Sequence, residues 1–419
     1  KKGNPIIVKC FGESVERKSI LLCRFLTNQE PPKGLIDFEA KRPEEVDYAI
    51  QRAARFVSLI PFIDDNTSID LLPDIWCTSQ EFIDFNGGDY EEHAILLCNY
   101  FNYIDNALNK DRVKSYIMLG NAVPEGYTTY VLRRNLDNNH VEIWDSIRGH
   151  AYFFGREMET KNCCFCLPIS RGFKQKTGNK KEDDENLLVQ QNVTCQLKSI
   201  GCVIGEDNIW ANIQKNTDPA LIEFDIENKK HWKPFFNKTN KSRYLTPEEN
   251  KHGIYTVQGP LKYPTGEAIN LAYLEDDIKN YISRKFADER INHYTRWNHS
   301  CTDILRETMR ELETLKRETC CPQVSSFKEL KGEGKPTKSS EIFDKLRLNL
   351  NEVVRGKKIY GFPVNTSFTN LDALWEEIKN TGMHEIVGSN VEFVLSVFVY
   401  RYPCSVISVW IYMLSLTTD

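Results

Sequence analysis

A few side chains in this 419-residue sequence have the types and spacing to do chemistry. Cys163 and Cys166 form a Cys-x2-Cys pair with Cys164 between them, half of a thiolate zinc site. A second such pair would complete it, but Cys195 and Cys202 stand too far apart to serve. Reduced cysteines in a loop or strand are therefore expected there, with no metal and no cofactor. Cys98 is a candidate nucleophile, yet it falls two turns past the start of a helix and on its apolar face, where burial raises a thiol pKa. A core cysteine is the simpler reading. His93, one turn into the same helix, and His150, beside Gly149, are candidates for acid–base work, with packing or hydrogen bonding as the plainer role.

The elements that would position these groups are legible in part. The helix follows the turn Asn86-Gly87-Gly88, takes Asp89 as its N-cap and lines Ala94, Leu97, Cys98 and Phe101 along one face. Strands are expected over 115–119, 128–133 and 140–144. Their short links suit antiparallel pairing, so the pattern is α+β, a helix packed on a sheet. Before it, Pro43 with Glu44 and Glu45 opens a helix carrying Val46, Ile50, Ala53, Val57 and Ile60 at helical spacing, closed by Pro61. Residues 5–10 and 19–25 read as two short strands, and Glu30-Pro31-Pro32 breaks the chain after them. The polar run 174–186 reads as a solvated or disordered insertion. Helices are expected over 269–286, 303–315, 340–350 and 371–379. The apolar stretch 391–416, interrupted by Arg401-Tyr402-Pro403, reads as a pair of buried strands and is too broken to span a membrane as a helix.

Composition narrows the class without fixing it. Apolar residues at 41% and charged residues at 27% suit a folded globular chain. A net charge of -5 provides no basic field for a phosphate backbone, so no nucleic-acid partner is expected. The 13 cysteines, odd in number and including the tandem pairs Cys163-Cys164 and Cys320-Cys321, read as reduced and cytosolic. The sequons at Asn192 and Asn237 then read as chance matches. A start at Lys1 without a leader suggests a piece of a longer product.

The run Gly88-Asp89-Tyr90-Glu91-Glu92-His93-Ala94-Ile95-Leu96-Leu97 resembles the start of the central helix in transglutaminase-like, papain-like cysteine enzymes. In that family a cysteine at the helix start has its pKa lowered by the helix, a strand histidine takes its proton, and an acid on the next strand orients the histidine. The resemblance puts Tyr90 at the cysteine position, Thr128 at the histidine position and Asp145 at the acid position. Only the acid is kept. A phenol of ordinary pKa about 10 is a poor nucleophile at neutral pH, and a threonine cannot be its base. A degenerate triad without enzyme activity is expected. The alternative is an active cysteine-dependent hydrolase or transferase that uses Cys98.

A longer series of segments, Glu92 to Phe101, Leu119 to Gly126, Gly201 to Trp210, Thr295 to Asn298 and Ser408 to Tyr412, resembles the coiled-coil and C2 domain-containing protein 2 family, A or B paralogue. The resemblance implies three regions. They are the end of a C2 β-sandwich over 1–35, a degenerate transglutaminase-like domain over 40–240, and a C-terminal α+β region of helices and a β-hairpin over 241–419. It also implies a scaffold of the ciliary transition zone and basal body, needed for cilium assembly and for protein localisation to the cilium. The implied partners are other transition-zone proteins of a tectonic-type complex. An extended peptide in the old cleft is a further expectation, with Trp144 and Tyr130 as anchors unless they pack in the core. The insertion from about Gly155 to Val193 is longer than the family pattern.

Overall fold

The computed structural model describes residues 8–36, 43–64, 75–109, 112–153, 196–237, 240–265, 269–318, 338–388 and 390–418. The Cys163/Cys166 pair, the pair Cys320-Cys321 and the polar run 174–186 lie outside them. The chain divides into two compact units, one of residues 1–163 with 194–264 and another that contains 265–419.

In the first unit β1 (Phe11–Glu13) and β2 (Ser19–Leu21) form a two-stranded ladder. The expected strand over 19–25 stops at Leu21, and Leu22–Phe25 is a 3-10 turn. Leu22, Cys23 and Phe25 are all buried, which strand alternation does not allow. This segment was expected to close a separate C2 domain. Instead it is sewn into the first unit: the Phe25 ring meets Trp76 at 5.8 Å, and Asn99 donates to the Phe25 carbonyl at 3.1 Å.

Three helices follow: α1 (Pro43–Val57), α2 (Ser79–Phe85) and α3 (Tyr90–Asn109). The next strands are β3 (Val113–Ala122), β4 (Gly126–Asn135), β5 (Val141–Asp145), β6 (His150–Phe153), β7 (Leu197–Ile204), β8 (Ile209–Asn212) and β9 (Trp232–Pro234). They make one antiparallel sheet in the order β6-β5-β4-β3-β7-β8-β9. Alternation sorts its two faces. Tyr116, Met118, Tyr130, Leu132, Val141 and Ile143 share a core with Val203, Trp210 and Trp232 on one face. The intervening residues look toward α3, where Arg133 pairs with Asp105 at 2.7 Å and Trp144 meets Phe101 edge-on at 5.2 Å. Gly120 sits at a register shift between β3 and β7, and a Cβ there would lie 2.1 Å from the Ser199 carbonyl oxygen. Two short helices, α4 (Lys241–Tyr244) and α5 (Pro247–His252), end the unit.

The second unit has a sheet in the order β10-β12-β13-β11, with β10 (Arg296–Trp297), β11 (Lys358–Ser367), β12 (Val391–Arg401) and β13 (Ile407–Thr417). Helices α6 (Leu271–Glu289) and α9 (Leu371–Lys379) cover one face, and α7 (Thr302–Glu318) and α8 (Lys338–Val353) the other. Phe393, Leu395, Val397 and Val399 meet Ile278, Phe286 and Trp375, while Val394, Phe398 and Trp410 meet Leu305, Met309 and Phe343. Coverage on both faces is why these strands read as unbroken apolar runs. Along the flank of β12, the Val399 N–H donates to Glu275 of α6 at 3.0 Å, and Glu275 also pairs with Arg306 at 2.8 Å. No helix among the described residues is long and apolar enough to cross a membrane.

Candidate functional site

The start of α3 is built by side chains that satisfy its free N–H groups. Asp89 accepts from the Glu91 N–H at 3.0 Å, which makes it the cap the sequence suggests. Glu92 is buried and accepts from the N–H groups of Asp89 at 3.0 Å and Cys77 at 2.9 Å. Burial, reinforced by the Asp89 carboxylate, pushes its carboxyl well up from the usual range. His93 is buried between Phe82, 4.7 Å away, and Phe62, 6.4 Å away. Its Nδ1 lies 2.6 Å from the Asp89 carbonyl and its Nε2 3.0 Å from the Ile60 carbonyl. Burial pulls the imidazole down while the two carbonyls pull it up, and burial prevails. Both ring nitrogens are occupied within the fold, so His93 braces the helix start.

Tyr90 is the first residue of α3, half-buried, with its ring edge-on to Phe62 at 4.8 Å. Burial, then the carboxylate of Glu125, pushes its phenol further up. Asp145, at the end of β5, accepts from the N–H groups of Ile147 at 3.1 Å and Arg148 at 3.0 Å, and from the Arg148 guanidinium at 2.7 Å. The same guanidinium donates to Glu125 at 2.8 Å. Although burial opposes its charge, Asp145 and Glu125 hold Arg148 firmly protonated. Asp145 is therefore committed to a guanidinium and a turn, and the fields of Asp145, Glu125 and Arg148 all act on Tyr90.

The structure does not bring Thr128 to this group. It pairs with Gly120 and shares the strand parity of Tyr130 and Leu132, the face turned away from α3. Thr129 has the parity of Arg133 and looks toward the helix. Of the two threonines, Thr129 rather than Thr128 is therefore the hydroxyl on the α3 face. His150 is the ladder partner of Asp145, on the parity of Tyr152 and Ile143. Cys98 is buried, receives Asn102 Nδ2 at 3.7 Å, and has its thiol pushed well up by burial. Trp144 and Tyr130 are core residues and cannot reach a peptide.

Sequence reasoning missed Arg148, Glu125, Phe62 and the half-buried Cys77. The i,i+3 pair of Asp145 and Arg148 around Gly149 was the available signal for the first. Phe62, Val123 and Tyr127 are 40%, 61% and 49% exposed. The buried polar atoms with no hydrogen-bond partner among the described residues include Glu125 Oε2, Thr129 Oγ1 and Ser146 Oγ.

Comparison with known proteins places this geometry. The CEP76 peptidase-like domain family matches residues 74–235, and the centrosomal protein of 76 kDa C-terminal domain family matches residues 267–417. Protein CC2D2B of Homo sapiens is 28% identical over 98% of this chain and 23% of its own length. Coiled-coil and C2 domain-containing protein 2A of Drosophila melanogaster is 23% identical over 86% of this chain and 22% of its own length. Centrosomal protein of 76 kDa of Xenopus laevis is 22% identical over 86% of this chain and 47% of its own length. The chain thus spans less than half the length of each of these relatives. Among solved structures, Legionella pneumophila LapG covers 29% of this chain and 71% of that chain at 18% identity and a TM-score of 0.23, too loose a superposition to define the fold. From the first of these matched domains to the second, the chain is similar to coiled-coil and C2 domain-containing protein 2 proteins and to centrosomal protein of 76 kDa.

Proposed function

We propose that the chain is a non-enzymatic scaffold of the ciliary transition zone, at the base of the cilium, whose peptidase-like domain holds a protein or peptide and cuts nothing. In this role it supports cilium assembly and protein localisation to the cilium, among other transition-zone proteins of a tectonic-type complex. One observation carries the reading: the helix start where a nucleophile would stand holds the Tyr90 phenol against Phe62, and Asp145 is spent on Arg148. Thiol catalysis needs a thiolate with an imidazole beside it, and neither Tyr90 nor a threonine supplies one. Similarity to a protein named as centrosomal supports the location.

The test is thiol reactivity and turnover on the purified chain. Each accessible cysteine should alkylate with an inflection at or above the ordinary thiol value of about 8.5, since burial raises the thiols of Cys10 and Cys404. One cysteine, Cys77 or Cys98, that labels far faster at pH 7 and whose serine variant loses peptide or ester turnover would establish the enzyme instead. Proximity labelling from the full-length protein in ciliated cells should mark proteins of the cilium base. Labelling confined to other compartments would remove the scaffold assignment.

A further inference from the structure

The remodelled centre has a chemistry of its own. Glu125 sits on the turn between β3 and β4, and its side chain is only 7% exposed. One oxygen takes Arg148, and Oε2 is buried with no partner among the described residues. Thr129 Oγ1, on the strand that Glu125 precedes, and Ser146 Oγ, next to Asp145, are likewise unmatched. A buried carboxylate oxygen without a donor is costly, so it marks a place where a donor belongs.

The charges around it choose the donor. Glu125 and Asp145 share one guanidinium, which leaves the trio with an excess negative charge. The field of Asp64, from the loop after α1, also acts on Tyr90. Asp89 and Glu91 line the helix start, while burial disfavours the charged forms of Glu92 and His93. Arg148 is the cation that faces this cluster, and the α3 N-terminus adds a partial positive charge. An acidic side chain would add a third carboxylate to a pair that already shares one guanidinium. An apolar one would leave Glu125 Oε2 without a donor.

The mouth is aromatic. Phe62 is exposed and stands edge-on to Tyr90, so a cation entering over this pair meets ring faces as well as carboxylates. Val123 and Tyr127, exposed on either side of Glu125, offer apolar surface to an aliphatic stem or a neighbouring peptide residue.

We propose that this centre receives one basic side chain, lysine or arginine, presented by an extended segment of a protein partner. Glu125 and Asp145 supply the charge, and Phe62 and Tyr90 the aromatic walls. The inference rests on the peptide-holding reading above. Arg148 already shows that the two carboxylates accept a guanidinium, and the partner's cation adds donors for the acceptor that Arg148 leaves open.

The test uses the whole chain and immobilised twelve-residue peptide pools, random except for a fixed central arginine, lysine, citrulline or glutamate. The arginine and lysine pools should be retained about tenfold better than the citrulline and glutamate pools, a difference of about 1.4 kcal/mol. That preference should shrink with added salt. Glu125→Gln and Asp64→Asn should lower the basic preference. Phe62→Ala should weaken retention of the basic pools and leave that of the citrulline and glutamate pools unchanged. Retention of all pools alike, or better retention of the glutamate pool, overturns the basic-residue inference and leaves peptide holding intact. Retention of no pool overturns the peptide-holding reading itself.

Discussion

At Tyr90 a helix start meets several carboxylates. A helix N-terminus favours an anion, but Glu125, Asp145 and Asp64 all oppose one there. Tyr90→Cys should therefore give a thiol that titrates at or above the ordinary value of about 8.5, read from the pH dependence of iodoacetamide alkylation. An inflection below 7 would show that the helix field wins. At His93 the sign of the pH effect follows from burial. The folded imidazole resists a proton that the unfolded chain accepts, so stability should fall as the pH drops below about 6.5. Thermal melts between pH 7.5 and 5.5 should show this loss, and His93→Gln should reduce it. The start of α3 was legible from sequence because the turn Asn86-Gly87-Gly88 marks it, whereas Tyr90 and Asp145 were singled out by resemblance alone. Thr128 and Thr129 could not be told apart, since one step along a strand reverses the face and only the Arg133–Asp105 pair fixes which face meets α3.

Among the elements, α3, α6, α7, α8 and α9 were readable from apolar spacing, and β12 and β13 from apolar runs either side of the Arg401-Tyr402-Pro403 break. Helix α2 was overlooked although Thr78 and Glu81 form a capping box around it. Strand β11 was overlooked because Gly361 and Pro363 argue against a central strand. The sheet order resolves this by placing β11 at an edge, where proline is tolerated. Two carboxylates hold elements in place. Glu249 of α5 pairs with Arg24 at 2.6 Å and accepts from the N–H groups of Thr246 and Tyr255. Burial works against its charge, but these donors outweigh it and hold its pKa at about 2. Its contribution is present above the ordinary carboxylate range and is lost as the pH falls toward 2. Glu249→Gln should cost about 1–3 kcal/mol in urea melts at pH 7, and the difference from the parent chain should begin to narrow below about pH 4 and close only near pH 2. Glu313 of α7, buried under the second sheet, accepts from the Tyr402 hydroxyl, Ser408 Oγ at 2.8 Å and Trp410 Nε1 at 2.6 Å. Glu313→Ala strands three donors, so a loss of about 3 kcal/mol or more is expected by the same measurement.

For the molecule as a whole, the expected break near residue 240 precedes a stretch that the structure assigns to the first unit, which runs to Pro264. Residues 241–264 carry little apolar periodicity. What ties them in is a set of distant polar contacts: Gln258 with Gln29 and the Ser79 N–H, and the Tyr263 hydroxyl with Tyr100 and the Glu30 carbonyl. Such pairings leave no local mark in a sequence. The second unit has helices on both faces of its sheet and its own two cores, so residues 265–419 expressed alone should give a dispersed amide spectrum and a single cooperative melt. A broad, non-cooperative melt would show that it depends on the rest of the chain.

Glu275 has a bearing on solubility. By taking the outward N–H of Val399 it occupies a rung that an incoming backbone would need. With that rung closed, identical molecules cannot zip together along this flank into a growing ribbon, even though the strand itself, from Val391 to Val399, is among the most apolar in the protein. Glu275→Ala would free the rung, and light scattering at raised concentration should then rise with time where the parent solution stays clear.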